Sequence, residues 1–143
     1  MTEAVIDASA LIAYLKEEPG GAALEPYLAD ACMSAINYAE VIRRFRDRAP
    51  VKAIRASIDD LDLEIVPLDR DIAEITGELN FYYRGAVQGS SRALSYADCA
   101  CLATGMQRNA PVITADGPWL ELDRSLYGNP GFGNLTMVNL RAQ

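Results

Sequence analysis

Four carboxylates stand where the apolar pattern of the chain does not call for them: Asp7 after AVI, Glu40 in NYAEVI, Asp98 in LSYADCACLAT and Asp116 in PVITADGPW. Each has an ordinary explanation. Asp7 could cap a helix, Glu40 could pair with Arg44 at i,i+4, Asp98 could close a capping box with Ser95, and Asp116 could begin an Asp-Gly-Pro turn. Together they say more, because Asp7 and Asp116 follow strand-like runs while Glu40 and Asp98 fall in the first or second turn of helix-like ones. In a parallel sheet all four positions face the carboxyl-terminal edge, where such folds put their sites. Four acids converging there would repel one another unless a hard cation held them. An all-oxygen donor set points to Mg²⁺ or Mn²⁺, and such a site suits phosphoryl chemistry in which activated water is the nucleophile.

Composition narrows the alternatives. The 143 residues include no histidine, which removes Ser-His-Asp and Cys-His catalysis and histidine metal ligation. The three cysteines, Cys32, Cys99 and Cys101, sit in apolar company and match no zinc spacing, so they read as core residues of a cytoplasmic protein. No apolar run approaches the roughly 18 residues of a membrane span, and no signal-peptide pattern opens the chain. The net charge of −7 hides an uneven distribution: Arg43, Arg44, Arg46, Arg48, Lys52 and Arg55 face only Asp47 within their segment. That segment is either a solvated helix face or a patch for phosphates or a partner.

The elements that must position the acids follow from periodicity. Ala4–Ile6 reads as a short buried strand feeding a helix from Ala8, which Pro19, Gly20 and Gly21 close. A second short helix spans Ala22 to Leu28, and Ala31–Met33 is a second strand. Ser34 then caps a helix carrying Ile36, Ala39, Val41, Ile42 and Phe45. Pro50 opens another helix with Val51, Ile54, Ile58 and Leu61 as its apolar stripe, so two consecutive helices predict a projecting hairpin. Leu63–Leu68 is a third strand, followed by a helix from Asp69 that includes Ile72, Ile75 and Leu79. Tyr82 to Ala93 reads as a loop.

The stretch from Leu94 to Trp119 organises the rest. Between Cys99 and Gln107 no residue is charged, so this helix is expected to be covered on nearly every side. Asp98 shares a stripe with Leu94, Cys101, Leu102 and Gly105, and an ionised acid buried there would need a proton, a donor or a cation. Pro111–Thr114 is a fourth strand of the doubly covered kind. Gly117 to Gly133 is turn-rich, and Leu135–Leu140 is a final strand. Strands alternating with helices predict a single α/β domain over residues 1–143, with a parallel sheet of about five strands covered by helices on both faces.

VIDASALIAYL, SAINYAEV, LSYADCACLAT and PVITADGPW, in this order and spacing, resemble the four acidic motifs of the PIN-domain family of metal-dependent ribonucleases, most closely its VapC-like toxins. The resemblance spans nearly the whole chain. It implies a three-layer fold with strand order 3-2-1-4-5 and a metal site of Asp7, Glu40, Asp98 and Asp116 taking Mg²⁺ or Mn²⁺. Ser9 and Thr114 match hydroxyl residues that orient a carboxylate or a metal-bound water. It further implies an RNA substrate, a homodimer, and a small antitoxin wrapping the helical hairpin. Two features depart from the pattern: the loop Tyr82–Ala93 is longer than in many relatives, and the protein is acidic although the implied substrate is a polyanion. Two other readings compete. One is a PIN-like module that binds a protein without cleaving RNA. The other is a Mg²⁺-dependent phosphomonoesterase built on Asp7 and Ser9, which leaves Glu40 unexplained and lacks a clear late basic residue for its phosphate.

Overall fold

A computed structural model of the chain describes residues 3–84 and 93–142. The short apolar runs form five parallel strands: β1 (Ala4–Ile6), β2 (Ala31–Ser34), β3 (Glu64–Val66), β4 (Val112–Thr114) and β5 (Met137–Asn139). They make one sheet in the order β3-β2-β1-β4-β5, as the resemblance implies. Alternation along each strand sends side chains to opposite faces. Val5, Cys32 and Val112 enter one core, while Ala4, Ile6, Met33 and Ile113 enter the other. The first core is closed by α4 (Arg70–Tyr82) and α5 (Tyr96–Arg108) through Ile72, Leu79 and Leu102. The second is closed by α1 (Ala8–Leu15), α2 (Ala35–Phe45) and α3 (Val51–Asp59) through Leu11, Val41, Ile54 and Ile58. Helices therefore cover both faces, giving three layers.

Local chemistry sets where the helices start. Ser34 accepts from the Asn37 amide at 3.1 Å, and Asp69 from that of Ile72 at 2.8 Å, each satisfying an otherwise orphaned first-turn donor. α5 has a full capping box: Ser95 accepts from the Asp98 amide, and the Asp98 carboxylate accepts from the Ser95 amide, both at 3.1 Å. At its other end Asn109 takes the left-handed conformation (φ 50°), and β4 follows directly. α5 thus runs back along the sheet, with its first turn at the edge where the strands end.

Several expectations need correction. The segment read as a helix over Ala22–Leu28 is a 3-10 helix, Gly21–Asp30, with Pro26 inside it, where the missing N–H cannot serve an α-helical ladder. β3 and β5 occupy only the middle of the runs Leu63–Leu68 and Leu135–Leu140. α4 continues to Tyr82 and Tyr83 is buried, so the expected loop begins later; its residues 85–92 lie outside the described residues. The hairpin of α2 and α3 presses Ile54 and Ile58 onto the core, whereas Val51 remains 49% exposed. Gly117–Gly133 is turn-rich as expected, with two 3-10 turns, Gly117–Glu121 and Arg124–Leu126, and the short helix α6 (Pro130–Gly133), and with Trp119 and Phe132 fully buried. Among the described residues no helix is long and apolar enough to cross a membrane.

Candidate active site

The register of the two central strands builds the first part of the site. Val5 pairs with Val112 and Ile6 with Ile113, and the Asp7 amide donates to the Ile113 carbonyl at 2.9 Å. Asp7 and Thr114 are therefore neighbours at the strand ends. Asp7 occupies the cap position of α1, but its side chain makes no cap hydrogen bond. Instead its Oδ2 accepts from the hydroxyls of Ser9 and of Thr114, the latter at 2.9 Å. Ser9 Oγ accepts in turn from the Ala115 amide at 3.0 Å, and Thr114 Oγ1 from the Asp116 amide at 2.9 Å. Each hydroxyl thus spends its proton on Asp7 and its lone pair on the chain entering the Asp116 turn. One short network fixes the first acid and the last.

Asp7 is the buried acid of the site, 4% exposed. Burial pushes its carboxyl up to about 7, opposed by the Ser9 and Thr114 hydrogen bonds and reinforced by the charges of Asp98 and Glu40. Asp98, expected to be buried within its helix stripe, is instead half-buried: the stripe's Leu94, Cys101, Leu102 and Gly105 are covered, while Asp98 at the helix mouth reaches back to the Ser95 amide. Asp116 is half-buried as well.

Glu40 does not pair with Arg44; its Oε1 accepts from Asn37 Nδ2 at 3.0 Å. It reaches solvent at the rim, yet its pKa is raised, first by the protein packed around its carboxyl and further by Asp98, with the Asn37 amide opposing. Asn37, which stands in none of the acidic positions, is fully buried. Its side chain accepts from Ser34 Oγ at 2.6 Å and donates to the Ala97 carbonyl at 3.2 Å, so it ties α2 to the start of α5 and aims Glu40. The only sequence signal was an Asn three residues after a capping Ser and three before an acid.

All four acids and Ser9 line one open cavity of about 520 Å³, together with Glu18, Arg44, Ser95 and Arg141. Among the described residues no three acidic, histidine or cysteine side chains stand close enough to close on a single ion. The acids that line the cavity offer oxygen donors alone, the donor type that a hard cation takes. A proton or a cation would relieve the buried Asp7 carboxyl.

A parallel α/β sheet with an acidic cavity at the ends of its central strands defines the class of protein. A family model described as PIN domain matches residues 4–124, and the chain belongs to the PIN-domain family. No curated protein matches the sequence. Similar solved structures include a toxin–antitoxin complex from Klebsiella pneumoniae, 22% identical over 96% of this chain and 97% of that one, TM-score 0.67. VapBC2 from Rickettsia felis bound to a DNA fragment from its promoter is 16% identical over 96% and 98%, TM-score 0.66. VapBC-5 from Mycobacterium tuberculosis is 23% identical over 97% and 99%, TM-score 0.58. At these identities the likeness is one of fold.

Proposed function

We propose that the chain is a divalent-metal-dependent RNA endonuclease and the toxin half of a toxin–antitoxin pair. The observation that supports this best is the cavity into which Asp7, Glu40, Asp98 and Asp116 all open, with one of the four buried and driven toward neutrality. These four would hold Mg²⁺ or Mn²⁺. The ion would supply Lewis acidity, activating water for attack on a phosphodiester and stabilising the leaving oxygen. The chain's own work is to hold the carboxylates ready: Ser9 and Thr114 fix Oδ2 of Asp7, and Asn37 aims Glu40. The Ser95 cap anchors Asp98 at the helix mouth. Similar folds in toxin–antitoxin complexes support a small antitoxin as partner. The exposed basic hairpin is a surface for it, a homodimer is the assembly proposed, and the cytoplasm is where such a pair would act.

The test is incubation of the purified protein with RNA in Mg²⁺, Mn²⁺ and chelator, followed by mass spectrometry of the fragments. Cleavage is expected only with metal, leaving 5′-phosphate and 3′-hydroxyl ends, because a protein without histidine relies on activated water and not on the ribose 2′-hydroxyl. Fragments ending in 2′,3′-cyclic phosphate would sink the mechanism.

A further inference from the structure

Among the described residues, two arginines line the acidic cavity. Arg44 lies one helical turn beyond Glu40 on α2, and Arg141 follows β5 near the carboxyl end of the chain. In the sheet order they come from opposite sides of the central β1–β4 pair. Arg141 is held there by several independent features. The Asn139 side chain, itself buried, accepts from the Arg141 amide at 2.8 Å. Gly20, in the left-handed region at φ 84°, lets the α1 turn approach so closely that a Cβ would stand 3.2 Å from the Leu140 carbonyl and 3.3 Å from Arg141 Cγ. Glu18 Oε1 sits 3.3 Å from Arg141 Nη2, and Glu18 lines the same cavity.

We propose that Arg44 and Arg141 are the contacts of this site to the RNA backbone, gripping phosphates on either side of the one that is cut, with Glu18 holding Arg141 in place until a phosphate replaces it. The inference rests on the nuclease reading and adds to it the residues that let an acidic protein hold a polyanion. An ion pair with Arg141 half exposed is weak and screened, so a phosphate oxygen can displace it. Guanidinium groups suit that exchange because their planar fork matches two phosphate oxygens. Both stand at the mouth of the carboxylate cavity, where they are the basic side chains among the described residues that line it. Arg141 is also the late basic residue that the sequence alone did not reveal.

The experiment is steady-state cleavage of a single-stranded RNA in Mg²⁺ across a series of salt concentrations, for the parent protein, Arg44→Gln, Arg141→Gln, the double arginine variant, and Glu18→Gln alone and combined with Arg141→Gln. Each arginine variant should raise KM by roughly tenfold, more than it lowers kcat, as expected for loss of a charge-assisted hydrogen bond. Each should flatten the log–log salt dependence of kcat/KM by about 0.7, the increment for one phosphate contact on a single strand. Glu18→Gln should lower KM, and should no longer do so on the Arg141→Gln background. Thermal melts should be unchanged for the arginine variants, whose side chains are exposed. A double variant with parental KM and salt slope would overturn the inference and leave the nuclease reading standing, with the arginines then free to serve a protein partner. A parent protein that cuts no RNA with either metal would overturn that reading, and the inference with it.

Discussion

A carboxyl that is buried, flanked by two other acids and given only two hydroxyl donors is under electrostatic stress, and Asp7 is in that position. Its folded pKa of about 7 lies above the unfolded value near 3.8. Between those values the native state binds more protons than the unfolded chain, so stability without metal falls as pH rises from about 4 to about 7 and stays low above it. The loss is on the order of a few kcal/mol. Asp7→Asn removes the titrating group, so its stability in chelator should vary much less across this range and exceed that of the parent at neutral pH. Urea denaturation at a series of pH values checks this; parallel curves for parent and variant would show that Asp7 is not the stressed group. At this scale the sequence was legible in residue type more than in role. It marked Asp7, Ser9 and Thr114, but a residue before a helix reads as a cap. Only the register of β1 against β4 turns that carboxylate toward Thr114. Asn37 has a local partner in Glu40, three residues along the same helix, but its contact with the Ala97 carbonyl exists only when α2 packs against α5.

The elements owe their placement to close approaches that small residues permit. Gly105 faces β4, where an added Cβ would stand 2.5 Å from Val112 Cγ2 and 3.2 Å from Leu135 Cδ1. Valine has little freedom to retreat. Gly105→Ala should therefore cost about 1–3 kcal/mol of overpacking, outweighing the gain in helix propensity. A thermal melt measures this, and a variant as stable as the parent would mean that the helix can lift from the sheet at no cost. That lift would also shift the first turn of α5, where Asp98 sits. Order and type of the main elements were legible because hydrophobic period and caps agree along most of the chain. What escaped was set by tertiary contact. The 3-10 helix Gly21–Asp30 packs against α1, and the turns after Asp116 fold around Trp119 and Phe132.

Across the whole molecule, charge is divided between two surfaces. The six basic residues from Arg43 to Arg55 are all exposed, and of these Arg44 alone lines the cavity; Arg55 pairs loosely with Asp59 at 3.8 Å. The cavity itself is dominated by carboxylates drawn from four separate places in the chain. Whether these carboxylates act as one cation site is read most directly, and without any substrate, by calorimetric titration of Mn²⁺. The parent protein should bind, and Asp7→Asn, Glu40→Gln, Asp98→Asn and Asp116→Asn should each weaken binding at least about tenfold, since each takes from the cavity a negative charge that serves as a direct ligand or as an acceptor for the ion's waters. A parent that binds no Mn²⁺, or four variants that bind it as tightly as the parent, would mean that the four acids form no cation site.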